Sequence, residues 1–275
     1  MLSLGVDLSA RPARAVVVDD RGGVIARATG ASGAAAVRTA AGKHTIPYAG
    51  FAAADAGEKI SVAARAVRYA PGSAAVAAEA WIGAAKGCRH AVCLHVGDEV
   101  YAGVILDGAL WTGAHHRAGA AGWLALNPVE RQDYRRLGSL AAEISTDAIA
   151  RRLSWRIQAG DHSQVLDAAG GSLEAITGAL VFDGARQGDG VAISVVRDTA
   201  KYIGMAVATF AATIDPEIVV VSGSAAAADL MLEPVRQECV RRLPGEWMND
   251  LRVEFSTLGP DAIAIGAARL AMKTA

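Results

Sequence analysis

The chain has 275 residues and a mass of 28.2 kDa, enough for one large domain or two lobes with ample core. Its 27 basic and 28 acidic side chains leave a net charge of -1, and no basic run marks a nucleic-acid surface. Alanine raises the mean hydropathy to +0.28, but charges or glycines interrupt every apolar run before the roughly 18 residues that a membrane span needs.

The first residues enter a strand pattern at once, with no basic leader region or cleavage site. Three cysteines make no disulfide framework. A cytoplasmic protein is expected, with neither a membrane nor a nucleic acid as partner. Residues 2–7 (LSLGVD) and 13–19 (ARAVVVD) read as strands around the loop Leu8-Ser9-Ala10-Arg11-Pro12, and Asp20-Arg21-Gly22-Gly23 turns into a third strand over 24–29. Residues 30–57 are small and weakly patterned, with room for one short helix and one short strand. Residues 58–68 carry a helical pattern. A helix is expected over about 73–86, with Ser73 as N-cap and Gly87 as C-cap.

Residues 91–127 hold the most informative pattern. A β-rich run breaks at Gly97-Asp98-Glu99, and a second apolar run turns at Asp107-Gly108. Asp-Gly between two apolar runs is a hairpin signal, because both residues tolerate positive φ. The glycine-rich return, residues 115–123 (HHRAGAAGW), lets backbone approach closely, so the stretch reads as a pocket wall. From Leu137 the spacing is helical, with Ser145 or Thr146 as break and cap. Helices follow over about 172–186 and 190–214, the latter stopped by Asp215-Pro216. A buried strand over 217–221 closes at Ser222-Gly223-Ser224. A helix over about 226–243, a strand over 251–256 and a C-terminal helix complete an α/β pattern in two lobes.

Three of these elements stand in the order that actin-like ATPases and sugar kinases use around ATP: Gly5-Val6-Asp7 with its hairpin, the Gly97 hairpin, and Val219-Val220-Val221-Ser222-Gly223-Ser224. More closely, the chain resembles the ROK family of repressors, unassigned frames and sugar kinases. Residues 75–87 (AVAAEAWIGAAKG) resemble the helix after the family's catalytic loop. Residues 103–122 (GVILDGALWTGAHHRAGAAG) resemble its second phosphate hairpin, 214–224 (IDPEIVVVSGS) its adenosine strand, and 258–271 (LGPDAIAIGAARLA) its C-terminus. The resemblance implies a two-lobed actin-like ATPase (ribonuclease H-like) fold with a shortened N-terminal lobe. The small lobe would span about 1–90, completed by a C-terminal helix over 262–275, and the large lobe about 91–261. It also implies ATP and magnesium as cofactors, a sugar or nucleotide as ligand, and a homodimer. Nucleotide contacts would fall on Asp7, Ser9, Gly97, Asp98, Gly223 and Ser224.

Several residues depart from the family's chemistry. The family's general base is an Asp in an Asn-Asp-Ala-Asn run, which aligns with Ala70-Pro71-Gly72-Ser73; Pro71, at the base position, cannot accept a proton. The first phosphate loop, Asp7-Leu8-Ser9-Ala10-Arg11, keeps the Asp that helps organise magnesium but lacks the family's glycines, whose backbone N–H groups close around phosphate. In the second loop, Gly97-Asp98-Glu99-Val100-Tyr101, two carboxylates stand where phosphates would come. Like charges at roughly 4 Å repel by about 1 kcal/mol in water and several times that when partly buried, although a cation held with Asp7 would offset this. The family's sugar-binding Glu and His are replaced by Ala120 and Trp123, and Trp123 is expected to fill the space of the lost sugar site. Residues 127–140 contain no cysteine, so the family's structural zinc is not expected.

Cys88, His90, Cys93 and His95 invite a metal reading, but zinc pairs usually have tighter cysteine spacing; buried cysteines and surface histidines are the simpler account. His115 and His116 are candidate replacement bases or ligand contacts, against a solvated loop. Three functions follow. The first is a sugar-kinase homologue without phosphotransfer, a pseudokinase that binds a ligand or serves as a regulatory or scaffold subunit. The second is an active hexose or amino-sugar kinase with a relocated base: His115, His116, Asp98 or Asp55. The third is a transcriptional regulator, for which the chain shows neither a basic patch nor the winged helix of the repressor branch.

Overall fold

The computed structural model describes residues 1–53, 58, 60, 62, 65–224 and 226–273. The chain folds as two compact units. The first comprises Met1–Cys93, Tyr101–Gly119 and Ser256–Ala275, the second Leu94–Val100 and Ala120–Phe255.

In the first unit, β1 (Ser3–Asp7), β2 (Ala13–Val18), β3 (Val24–Gly30), β4 (Tyr48–Ala52) and β5 (Arg65–Tyr69) form a sheet in the order β3-β2-β1-β4-β5. The pair β1–β2 is antiparallel and β1–β4 parallel. Side chains alternate across a strand, so each strand feeds two cores. Leu4, Val6, Ala15 and Val17 pack with Ala36, Val37 and Ala40 of α1 (Gly33–Ala41). Val16 and Val18 face the other way. They meet Ala78 of α2 (Pro71–Ile82) and Ala264, Ile265 and Ala268 of the C-terminal helix (Ala262–Lys273). Contact between this helix and the sheet is so close that a Cβ at Gly5 would stand 1.8 Å from the Ala264 carbonyl oxygen.

Two expected elements are corrected here. The helical pattern over 58–68 gives way from Arg65 onward to β5, which pairs with β4 in parallel register, Gly50 opposite Val67. Pairing along the sheet edge overrides local periodicity. The helix expected from Ser73 starts earlier, with Ala70 as N-cap and Pro71 in its first turn, while Ser73 is buried inside. Proline's fixed φ and missing N–H suit that position better than a serine cap two residues later. The helix also ends at Gly83 rather than Gly87, since Glu79 Oε2 accepts from the Ala84 N–H at 3.0 Å. The Ser256 hydroxyl donates to the other oxygen of the same carboxylate.

A second sheet has the order β10-β9-β6-β7-β8, from β6 (Ala91–Val96), β7 (Val100–Leu106), β8 (Ala109–Trp111), β9 (Ile218–Ser222) and β10 (Arg252–Phe255). The Asp107-Gly108 turn joins β7 to β8 with φ of 51° and 76°, as the hairpin signal predicts. The helices of the second unit are α3 (Gln132–Leu137), α4 (Ala141–Ile144), α5 (Thr146–Gln158), α6 (Gln164–Ala168), α7 (Gly178–Arg186), α8 (Gly190–Ile214), α9 (Ala228–Arg242) and α10 (Trp247–Asp250). Ser145 caps α5 through the Ala148 N–H at 3.2 Å, a cap that the sequence announces. The helix expected over 172–186 is shorter: Leu173–Ala175 is a single 3₁₀ turn, and Thr177 caps α7. The long apolar α8 has the expected bounds, opened by Asp189 and closed by a left-handed Asp215 before Pro216. Among the described residues, no helix is long and apolar enough to cross a membrane.

Candidate functional site

In the first unit the loop after β1 is folded onto its own carboxylate. Asp7 Oδ1 accepts from the Ser9 hydroxyl at 2.6 Å, the Ser9 N–H at 2.9 Å and the Ala10 N–H at 3.3 Å. Such local side-chain-to-backbone bonds are what a short Asp–x–Ser sequence favours when no glycine opens the loop. Asp7 is only 3% exposed, and burial raises its carboxyl above the usual range, partly opposed by the Ser9 and Ala10 bonds and by Arg14.

The start of α2 lies against β7 backbone to backbone. A Cβ at Gly72 would stand 2.0 Å from the Ala102 carbonyl oxygen, and one at Gly103 2.0 Å from that of Gly72. Only glycine tolerates this approach. The glycine-rich return joins the same packing, the Ala102 N–H donating to the Gly119 carbonyl at 2.6 Å. Pro71, buried in the first turn of α2, therefore sits on a rigid support. His115 and His116 lie on an exposed loop closed by the Ala118 N–H to the Thr112 carbonyl at 3.0 Å. His116 holds φ at 55°, and its Nδ1 is 3.2 Å from the Thr112 hydroxyl. Asp55 lies outside the described residues.

In the second unit the turn at Gly97 is tied to the start of α5. Thr146 donates its N–H to the Gly97 carbonyl at 3.0 Å and its hydroxyl to Asp98 Oδ1 at 2.6 Å. Gly97 also lies beside the end of β9, since a Cβ there would be 3.4 Å from Ser224 Oγ. Gly223 holds φ at 103°, and a Cβ on it would strike the Val96 carbonyl oxygen at 2.2 Å. Four of the residues picked from the sequence, Gly97, Asp98, Gly223 and Ser224, thus belong to one unit, and Asp7 and Ser9 to the other.

The structure adds His95 and Thr146 to this cluster, His95 beside Ser222 of the strand that resembles the family's adenosine strand. His95 Nδ1 is 3.2 Å from Ser222 Oγ. Burial lowers the imidazole pKa to about 4, against a smaller opposing pull from Asp98, so the ring is neutral at ordinary pH. One signal was available, the position of His95 two residues before the Gly97 break. Its partner, however, is 127 residues away. The hydroxyl of Tyr101, at the last position of the same loop motif, is buried without a hydrogen-bond partner.

Ala120 is exposed and caps a 3₁₀ turn, Ala121–Trp123. Trp123 itself is 62% exposed. Its ring therefore fills no interior space, which corrects the expectation that it plugs the lost sugar site. The short turn fixes the backbone and leaves the indole in solvent. Among the described residues, no group of three or more His, Cys, Asp or Glu is placed to hold a metal ion.

A sequence model described as the ROK family matches residues 68–274. The chain is 29% identical over 229 residues to a glucokinase of Thermotoga maritima, covering 82% of this chain and 70% of that one. It is 28% identical over 194 residues to a glucokinase of Halalkalibacterium halodurans, covering 68% of this chain and 58% of that protein, less than two thirds of its length. A solved ROK family glucokinase from Streptomyces griseus, in complex with glucose and AMPPNP, aligns at 26% identity over 99% of this chain and 100% of that one, with a TM-score of 0.87. The two five-stranded sheets are accordingly those of the actin-like ATPase fold of ROK sugar kinases. With the family match running through most of its length, the chain belongs to the ROK family.

Proposed function

We propose that this protein is a sugar-kinase homologue that binds a sugar or nucleotide without transferring phosphate, and acts as a binding or regulatory subunit. One observation carries the reading: Pro71, at the family's base position, is buried in the first turn of α2 and offers no titratable group. A general base must lie within hydrogen-bond reach of the hydroxyl it deprotonates. The two loops add support. Asp7 Oδ1 already accepts three donors from its own loop, and Asp98 Oδ1 is engaged by Thr146. Neither loop fits a magnesium-triphosphate cradle built from free backbone N–H groups. Phosphoryl transfer depends almost wholly on positioning and charge stabilisation, so losing several parts together removes it.

The test combines calorimetric titration with ATP-magnesium and a hexose panel with a coupled assay for ADP release. The expected outcome is ligand binding with no turnover above background; sustained turnover sinks the proposal. A second reading keeps kinase activity and moves the base to His116, because a non-glycine residue at φ 55° is the kind of backbone strain that collects at functional sites. If turnover is found, His116→Ala should abolish it. An unchanged rate removes that base and directs attention to His115 and Asp98.

A further inference from the structure

The second unit holds a cavity of about 570 Å³ whose lining includes none of the residues read from the sequence as nucleotide contacts. It is walled by α5, α8, α9 and the segment leading into α3, all within that unit. Its size falls in the range of small-molecule pockets, and its chemistry is unusual. Glu143 is 3% exposed and is shared by two guanidiniums, with Arg152 Nη2 at 2.6 Å and Arg131 Nη1 at 3.4 Å. The Tyr134 hydroxyl also donates to it. Glu238, 5% exposed, is shared in the same way between Arg242 at 2.6 Å and Arg241 at 3.4 Å.

The cavity is lined by five cations, Arg131, Arg152, Arg156, Lys201 and Arg242, against three carboxylates, Glu143, Asp198 and Glu238, which leaves a surplus of positive charge; Arg241 lies outside the lining. Of these cations, Lys201 is held at 2.9 Å by Asp198 and Arg156 is paired with Asp161, so the surplus rests on the arginines around Glu143 and Glu238. Arginine forks held in place by buried carboxylates are pre-oriented, and planar guanidiniums bind phosphate or carboxylate oxygens bidentately. The remaining polar groups suit hydroxyls: Asn127 Nδ2 lies 3.3 Å from the Tyr202 hydroxyl, and Arg152 sits over the Tyr202 ring at 5.7 Å. Trp155, 48% exposed, gives the rim an aromatic face.

We infer that this cavity binds a small phosphomonoester carried on a hydroxylated body, separately from the residues of the phosphate loops. An uncharged sugar would leave the surplus positive charge unmatched, and inorganic phosphate would leave most of the volume empty.

Calorimetric titrations with glucose 6-phosphate, inorganic phosphate and glucose test this on the full chain. Glucose 6-phosphate is expected to bind, inorganic phosphate to bind more weakly and compete with it, and raised salt to weaken both. Arg131→Gln and Lys201→Gln alter side chains that are 49% and 54% exposed, so the fold should survive, as a thermal melt will show. Each is expected to weaken glucose 6-phosphate about tenfold, the effect of one charge-assisted contact, with Arg131→Lys restoring part of the loss. Absence of binding to the parent protein, or binding that both variants leave unchanged, overturns the inference. The readout needs no turnover, so it stands or falls separately from the proposal of lost phosphotransfer.

Discussion

The turn after β1 and the turn after β6, both read from the sequence as phosphate loops, are closed in opposite ways. The first is bonded to itself: Asp7 takes three donors from the two or three residues that follow it. The second is bonded across the chain, with Thr146 reaching Gly97 and Asp98 from 48 residues away. In both, an oxygen that a phosphate site would turn toward a cation or a donor is satisfied within the protein. The difference lies in what holds each turn: local loop chemistry in the first unit, helix packing in the second. The buried titratable groups differ as well, with an acid whose carboxyl is raised on one side and a histidine held neutral on the other.

The comparison is broken most strongly at Gly223. Gly223→Ala places a Cβ against the Val96 carbonyl oxygen at 2.2 Å and at φ 103°, so a loss of about 3 kcal/mol in stability is expected by urea unfolding. Gly223 lies in the second unit, so the hydrogen bonds of the Asp7 loop in the first should be kept.

Acid titration is the next largest. Burial lowers the His95 pKa to about 4 from the ordinary 6.5. Between those values the unfolded chain binds more protons than the folded one, so stability should fall as pH drops through this window, by about 2–3 kcal/mol. His95→Gln should flatten the slope. Asp7 acts with the opposite sign. Its carboxyl is raised above 3.8, so the folded state takes up the proton first and gains stability as pH falls through the raised value. A pH series on Asp7→Asn and on His95→Gln should therefore diverge in sign, and slopes of the same sign would remove the contrast.

Smaller effects sharpen it. Thr146→Val deletes the hydroxyl that engages Asp98 but keeps the backbone bond to Gly97; a loss of about 1 kcal/mol is expected. Asp7→Asn keeps an oxygen for the Ser9 and Ala10 donors and removes a buried charge, so its unfolding free energy at neutral pH should change by less than about 1 kcal/mol.

Much of this fold was legible along the chain. Apolar runs broken by turns marked β1 to β3, Ser145 or Thr146 the start of α5, and Asp215-Pro216 the end of α8. Those signals are local: a cap, a stop or a turn acts within a few residues. The strand β5 was not legible, because Arg65–Tyr69 is extended through pairing with β4, and Ala and Val spaced as they are suit a helix equally well. At the candidate site the identity of Pro71, on which the proposal of lost phosphotransfer rests, was readable, since it depends only on the residue at position 71. The engagement of Asp98 by Thr146 was not, and neither was the exposure of Trp123.

By itself the sequence determined the family and which residues stand at the positions read as base, sugar ligands and first loop: Pro71, Ala120, Trp123 and Leu8-Ser9-Ala10. Each follows from residue identity and short-range periodicity. Tertiary structure decided where those residues point and what satisfies them. His95 is neutral because packing buries it, Asp98 is engaged because α5 begins beside it, and Glu143 of α4, Arg152 of α5, Lys201 of α8 and Arg242 of α9 line one cavity because those helices pack together. Burial and charge pairing depend on groups tens to hundreds of residues apart, and no pattern of neighbours along a chain encodes such distances.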